Sequence, residues 1–165
     1  MESEDIHIRI GHSPDPDDAF MFHALTTGAM ETPGRHYEHV LLDIQTLNEK
    51  ALNSEYEISA VSIHSFPKII ENYALMNCGA SMGEGYGPML IGNEQLTSQE
   101  AKSRTIAVPG LDTSAYLALR LAWGEVDVEV VPFDEILPSV ADGKYDVGLI
   151  IHEGQLTWKD EGVYL

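Results

Sequence analysis

The chain has 165 residues, 44% of them apolar, which suffices for one domain or two small ones with a sizeable core. Nine Lys and Arg stand against 27 Asp and Glu, a net charge of −18. That balance argues against nucleic acid or an anionic membrane surface as partner, since both are bound through basic patches. An anionic small ligand stays open, because backbone N–H groups and helix N-termini hold anions without Lys or Arg.

Strand-like and helix-like segments alternate along the chain. Residues 6–10 alternate apolar and polar and predict a first strand. Ser13-Pro14-Asp15-Pro16-Asp17-Asp18 predicts a stiff turn, followed by a helix over 19–25 with Gly28 as its stop. A strand over 37–43 precedes a helix over 44–53, with Leu47, Ala51 and Leu52 along one face. Residues 58–63 predict a third strand, Pro67 opens a helix over 68–73, and 74–81 predict a further strand. Gly83-Glu84-Gly85-Tyr86-Gly87-Pro88 then breaks the pattern before the apolar Met89-Leu90-Ile91. A domain crossover placed just after it gives lobes at 1–92 and 93–165. The second lobe predicts strands at 105–108, 126–133 and 146–151. Its helices are expected at 115–123, with Leu117, Ala118 and Leu121 facing inward, and at 134–141. Two blocks opening with strand, turn and helix imply two α/β lobes with mainly parallel sheets, the second one incomplete.

The single Cys78, in Leu75-Met76-Asn77-Cys78-Gly79, allows no internal disulfide and is expected to be a buried small hydrophobe. The N-terminal Met1-Glu2-Ser3-Glu4-Asp5 has neither the cationic nor the apolar stretch of a secretory signal, and no segment approaches a membrane span. A cytoplasmic location is therefore expected.

The apolar run 147–151 delivers His152 to the end of a strand, beside Glu153 and Gly154. Ligands of open α/β folds sit just beyond such carboxyl ends, and histidine is readily poised for proton transfer near neutral pH. His152 is thus the candidate base, the alternative being a structural histidine. Asp112-Thr113-Ser114-Ala115 forms an N-cap pattern after a strand, and its N–H groups and two hydroxyls offer a cradle for a carboxylate or phosphate. Ser62 and Ser65 occupy a matching place in the first lobe, so hydroxyl-bearing loops of two lobes are expected to face each other across a cleft. The 13–18 loop serves as a turn capped by Asp17 or Asp18, as a ligand-facing loop, or as a metal site. The last lacks any regular ligand spacing. His12, His23 and His64 also lie near strand ends or turns and match no zinc spacing. His36 and His39 fall on a surface strand and receive no role.

Taken in order, Ser13-Pro14-Asp15-Pro16-Asp17-Asp18-Ala19-Phe20, Ala60-Val61-Ser62, Thr113-Ser114-Ala115 and Ile151-His152-Glu153-Gly154-Gln155-Leu156-Thr157 resemble the 1,4-dihydroxy-6-naphthoate synthases of the futalosine route to menaquinone. The resemblance runs over essentially the whole chain. It implies a two-lobed, type II periplasmic-binding-protein-like α/β fold and a lyase acting on cyclic dehypoxanthinyl futalosine. By residue matching, His152 takes the proton-acceptor position. Ala60, Val61 and Ser62, with Ser114 and Ala115, take substrate-contact positions, and Thr113 joins them in a site for the substrate carboxylate. No metal or organic cofactor is implied. Members of the family are longer, their chain returning to the first lobe after the second, and that return segment is expected to be missing here.

Two further readings share the fold: a non-catalytic solute-binding protein for a small carboxylate, and chorismate dehydratase. The first would bring a secretion signal or lipid-anchor cysteine, and the His152 context fits the second less well. A pure interaction module gives no reason for a histidine at a strand end.

Overall fold

The computed structural model describes residues 5–151 and 154–165. The chain divides into two compact units, Met1–Met82 and Gly83–Leu165, called lobe one and lobe two below. The boundary thus falls ten residues before the expected crossover at 92/93. The reason is pairing: Met89–Gly92 is a strand of the second sheet. Among the described residues no helix is long and apolar enough to cross a membrane.

In lobe one, β1 (Ile6–His12), β2 (Arg35–Leu41) and β3 (Ile58–Ser59) form a parallel sheet of order β2-β1-β3. Parallel strands need crossovers, which α1 (Pro16–Thr26) and α2 (Ile44–Leu52) supply. α1 begins at Pro16, whose fixed φ suits the first helical position. The cap expected from Asp17 or Asp18 is taken by Asp15 instead, and the Asp18 carboxylate accepts from the Ser13 N–H at 2.7 Å. α2 is capped by Asp43, which accepts from the Thr46 N–H at 2.9 Å. It buries Leu47 and Ala51 but leaves Leu52 exposed. α2 and Tyr56 lie so close to β1 that a Cβ at Gly11 would meet Leu47 Cδ2 at 2.7 Å and Tyr56 Cδ2 at 2.8 Å, so glycine is required there.

Several expected elements shorten, for identifiable reasons. The strand expected over 58–63 stops at Ser59. Ala60 N–H still reaches the Gly11 carbonyl at 2.8 Å, but the Ser62 N–H is claimed by the Asn48 side chain, which ends the ladder. The helix expected over 68–73 is the single turn α3 (Phe66–Ile69). The strand expected over 74–81 does not form, for all eight residues are exposed and no neighbour accepts an apolar face. Cys78 lies in this stretch and is exposed, not buried.

In lobe two, β4 (Met89–Gly92), β5 (Ile106–Val108), β6 (Val128–Val130) and β7 (Val147–Ile150) form a sheet of order β4-β7-β5-β6. β5, β6 and β7 are parallel, and β4 runs antiparallel to β7. All four residues of β7 are buried, because helices cover both faces and a strand buried on both sides is continuously apolar. On one face Ile91, Ala107 and Ile150 pack with Ile136, Leu137 and Val140 of α6 (Phe133–Ala141). On the other, Ile106, Val108, Val147 and Leu149 pack with Ala115 and Leu119 of α5 (Ser114–Trp123). The inward face of α5 is therefore Ala115 and Leu119. Leu121, expected inside, is exposed, and Leu117 and Ala118 are half-buried. α4 (Ser98–Lys102) carries a capping box between Thr97 and Glu100, the Thr-x-x-Glu pattern of a helix start. After β7 the chain adds α7 (Gly154–Thr157) and a 3-10 turn, Trp158–Glu161.

Candidate functional site

Each lobe gathers polar groups at the carboxyl edge of its own sheet. In lobe one the strands run the same way, so β1 delivers His12 and Ser13, and β3 leads into Ala60, Val61 and Ser62, on one edge. This is where open α/β sheets place ligands. Ser13 is fixed three ways. Its N–H donates to Asp18, its Oγ accepts from the Asp15 N–H at 3.1 Å, and its carbonyl lies 2.9 Å from Nδ1 of His12. Ser62 and Asn48 of α2 are joined by two hydrogen bonds: Ser62 N–H to Asn48 Oδ1 at 2.8 Å and Asn48 Nδ2 to Ser62 Oγ at 3.1 Å. Ser62 also turns the chain, its carbonyl accepting from the buried Ser65 at 2.9 Å.

In lobe two the adjacent parallel strands β5 and β7 lead into 109–115 and Ile151. β4 runs the other way with Met89 opposite Ile150, so the glycine-rich 83–88 arrives at the same edge. Gln155 joins these parts, its Nε2 donating to the Gly87 carbonyl at 2.6 Å and to the Ile150 carbonyl at 3.3 Å. Thr113 caps α5. Its Oγ1 accepts from the Tyr116 N–H at 3.2 Å and donates to the Gly110 carbonyl at 2.8 Å. The N–H groups of Ser114 and Ala115 belong to the first turn, ahead of any intrahelical acceptor. A cavity of about 150 Å³, lined by Gly92, Leu96, Ala101, Trp123 and Val147 among others, sits at the amino end of β7, away from this edge.

The family model described as menaquinone biosynthesis matches residues 8–165. The chain belongs to the menaquinone biosynthesis family. Among relatives of this family member, the 1,4-dihydroxy-6-naphthoate synthase of Thermus thermophilus is 39% identical over 157 residues, 94% of this chain and 56% of the relative. A crystal structure of an Archaeoglobus fulgidus protein superimposes with a TM-score of 0.89 at 44% identity, covering 96% of this chain and 58% of that one. The menaquinone-family chain thus spans just over half the length of these relatives. The alkanesulfonate-binding protein of Xanthomonas axonopodis pv. citri matches with a TM-score of 0.69 at 13% identity, over 98% of this chain and 60% of that one. That likeness concerns the fold, which is the type II periplasmic-binding-protein-like architecture.

Within the family member, the sequence-predicted residues fare differently. His152 and Glu153 lie outside the described residues; the described chain reaches the exposed Ile151 and resumes at the buried Gly154. Ala60 and Val61 are half-buried at the end of β3. Ser62 and Thr113 are buried, and their hydroxyls already hold backbone or side-chain partners. The Ala115 side chain belongs to the core of lobe two, which leaves its backbone N–H and the half-buried Ser114 to meet a ligand. His23 sits in the last turn of α1, at the far end from the carboxyl edge, and is exposed. No group of three or more His, Cys, Asp or Glu gathers among the described residues as a metal site would, the 13–18 loop included.

The sequence reading missed His39. It is half-buried, and its Nδ1 lies 3.0 Å from Nε2 of the buried His12. Burial and the neighbouring His12 hold its pKa below the ordinary histidine value. Its place opposite Ile10 depends on the β1/β2 register, which no local pattern encodes. Asn48 was missed as well. It stands beside Leu47 on the buried side of α2, and a polar residue there is a signal that a buried partner must exist.

Proposed function

We propose that this chain forms part of an enzyme that converts cyclic dehypoxanthinyl futalosine to 1,4-dihydroxy-6-naphthoate, with His152 as proton acceptor. The observation that carries the reading is the menaquinone biosynthesis match over residues 8–165. The name of the Thermus thermophilus relative supports the product, and the substrate and the lyase step rest on the motif resemblance given above. In the proposed step, His152 removes a proton from the cyclic substrate. The electron pair left behind expels the sugar-derived part, and the remaining bicycle aromatises to the dihydroxynaphthoate. Aromatisation supplies driving force, so one placed base suffices and the overall step is a lyase-type fragmentation. The substrate carboxylate rests on the first-turn N–H groups of Ser114 and Ala115 and the Ser114 hydroxyl, in the loop that Thr113 shapes. A helix N-terminus favours negative charge, which suits a chain of net charge −18. Ala60, Val61 and Ser62 supply substrate contacts in lobe one. The substrate is a small molecule, and no cofactor enters the step.

The test is turnover of cyclic dehypoxanthinyl futalosine by the protein that carries this chain, wild type beside His152→Ala. Wild type is expected to release 1,4-dihydroxy-6-naphthoate. The variant is expected to keep substrate binding and lose roughly a hundredfold or more in rate, the ordinary weight of a general base. Binding without turnover in both proteins would replace the enzyme by a solute-binding protein for a small carboxylate.

A further inference from the structure

Two imidazoles meet where β1 ends. His12 is 3% exposed, with Nδ1 2.9 Å from the Ser13 carbonyl oxygen and Nε2 3.0 Å from Nδ1 of His39. A carbonyl only accepts, so His12 carries its hydrogen on Nδ1, and Nε2 of the neutral ring is then an acceptor. His39 must donate from Nδ1, which leaves its Nε2 a bare lone pair. That nitrogen is buried and has no hydrogen-bond partner. Phe22 of α1 closes the pair, stacked on His12 at 4.4 Å between ring centres and set edgewise to His39 at 5.8 Å.

The charged surroundings are sparse. From α1, the Asp18 carboxylate is engaged with the Ser13 N–H. From β1, His12 is the titratable group that acts on His39, and burial acts in the same direction. No carboxylate among these contacts touches the His39 ring. A proton added to its Nε2 would therefore create a buried cation with no counter-charge, which is costly. β2 is an edge strand, so His39 has a route to water. Taking that route withdraws the donor that holds His12, and with it the hydrogen bond that fixes the Ser13 carbonyl.

We propose that His39 is a positioning residue for the loop between β1 and α1: through His12 it fixes Ser13, and a proton added to the pair releases that loop. The catalytic relevance rests on the proposed function, because the loop lies on the carboxyl edge of its sheet. The hydrogen-bond chain itself does not.

Long-range ¹H–¹⁵N NMR of the imidazoles near pH 7.5 is expected to show the Nδ1–H tautomer for both His12 and His39. The Ser13 N–H is held by Asp18, so its exchange reads whether the loop as a whole opens; corrected for its intrinsic pH dependence, it is expected to quicken about tenfold between pH 7.5 and 5. His39→Asn keeps an N–H near the Nδ1 position without titrating and should hold Ser13 protected at both pH values. His39→Phe keeps the bulk without the donor and should leave it unprotected at both. If His39→Phe fails to fold, wild type against His39→Asn still decides. An Nε2–H tautomer on either ring, or a pH step that persists in His39→Asn, would overturn the proposal. With substrate, wild type is expected to raise its KM at acid pH while His39→Asn does not, and an equal rise in both would overturn the catalytic relevance. Absence of turnover at every pH, with tautomers and protection as expected, would sink the proposed reaction and leave the positioning role supported.

Discussion

Asn48 and Ser62 hold each other through both ends of one amide: the Ser62 N–H donates to Oδ1 at 2.8 Å, and Nδ2 donates to the Ser62 hydroxyl at 3.1 Å. Both residues are buried. The pair ends β3 and turns the chain onto the carboxyl edge of its sheet. Asn48→Ala leaves a buried N–H without its acceptor, a loss of about 2–3 kcal/mol. Ser62→Ala removes one hydroxyl and keeps the backbone bond, so about 1 kcal/mol is expected. Urea unfolding of the two variants beside wild type checks the order. Equal losses would mean that the backbone bond carries no special weight.

Gly148 of β7 faces α6 with no room to spare. A Cβ there would meet Ile136 Cγ2 at 2.7 Å and Val140 Cγ2 at 2.8 Å. Both partners are branched and fully buried, so neither can move aside cheaply. Gly148→Ala is expected to destabilise lobe two by about 1–3 kcal/mol, as overpacking does. Thermal unfolding followed by circular dichroism reads the shift, and an unchanged midpoint would show that α6 yields.

The parts legible in the sequence were those set by local pattern. The alternation in β1, the apolar run of β7 and the Thr113 cap before α5 follow from spacing and residue type, whereas the start of α1 at Pro16 and the Asp43 cap of α2 lay inside segments read as turn and strand. Type II periplasmic-binding-protein-like architecture followed from two strand-turn-helix blocks joined to a resemblance. Elements whose ends depend on distant side chains were not legible. β3 is cut short by Asn48, fourteen residues earlier, and 74–81 has strand composition but no neighbour to pair with. The same holds for the candidate site. Thr113 to Ala115 stand out as a cap motif, whereas His39 gains its meaning only from the register of β2 on β1.

Arg9 and Glu57 form the best-aligned ion pair of lobe one. The Glu57 carboxylate accepts from Arg9 Nη2 at 2.7 Å, from Nε at 3.1 Å and from the Arg9 N–H at 2.8 Å. These bonds favour the charged form and lower the Glu57 pKa to about 2. The unfolded chain binds the proton more tightly than the folded one. The pair therefore stabilises the fold above the ordinary glutamate pKa, and its contribution is lost as pH falls from about 4.3 through the folded value. Both side chains are nearly half exposed, so the effect on stability is small and screened by salt. Carboxyl-detected NMR is expected to place the Glu57 midpoint near 2 in wild type. In Arg9→Gln it should return toward the ordinary range. A wild-type midpoint near 4 would show that the pair is not formed in solution.

Gln155 makes the sharpest prediction about lobe two. Its Nε2 donates to the carbonyls of Gly87 and Ile150, so one amide ties the glycine-rich entry of β4 to the exit of β7. Residue 155 stands three positions after His152 in the chain, so on the proposed reaction a change at its amide should be read in turnover. Gln155→Ala removes both bonds, yet the side chain is only half-buried, so a stability loss of about 1 kcal/mol is expected. Gln155→Glu keeps the shape but aims a carboxylate at two carbonyl oxygens that can only accept. Repulsion and unmet acceptors then make it the worse variant, by roughly a further 1–2 kcal/mol. Turnover should fall in the order wild type, alanine, glutamate, with kcat affected more than KM because the variants disturb the base rather than the carboxylate cradle. Steady-state kinetics with thermal unfolding on the same samples separates the two effects. A glutamate variant as active as wild type would mean that the Gln155 amide does not order the end of β7.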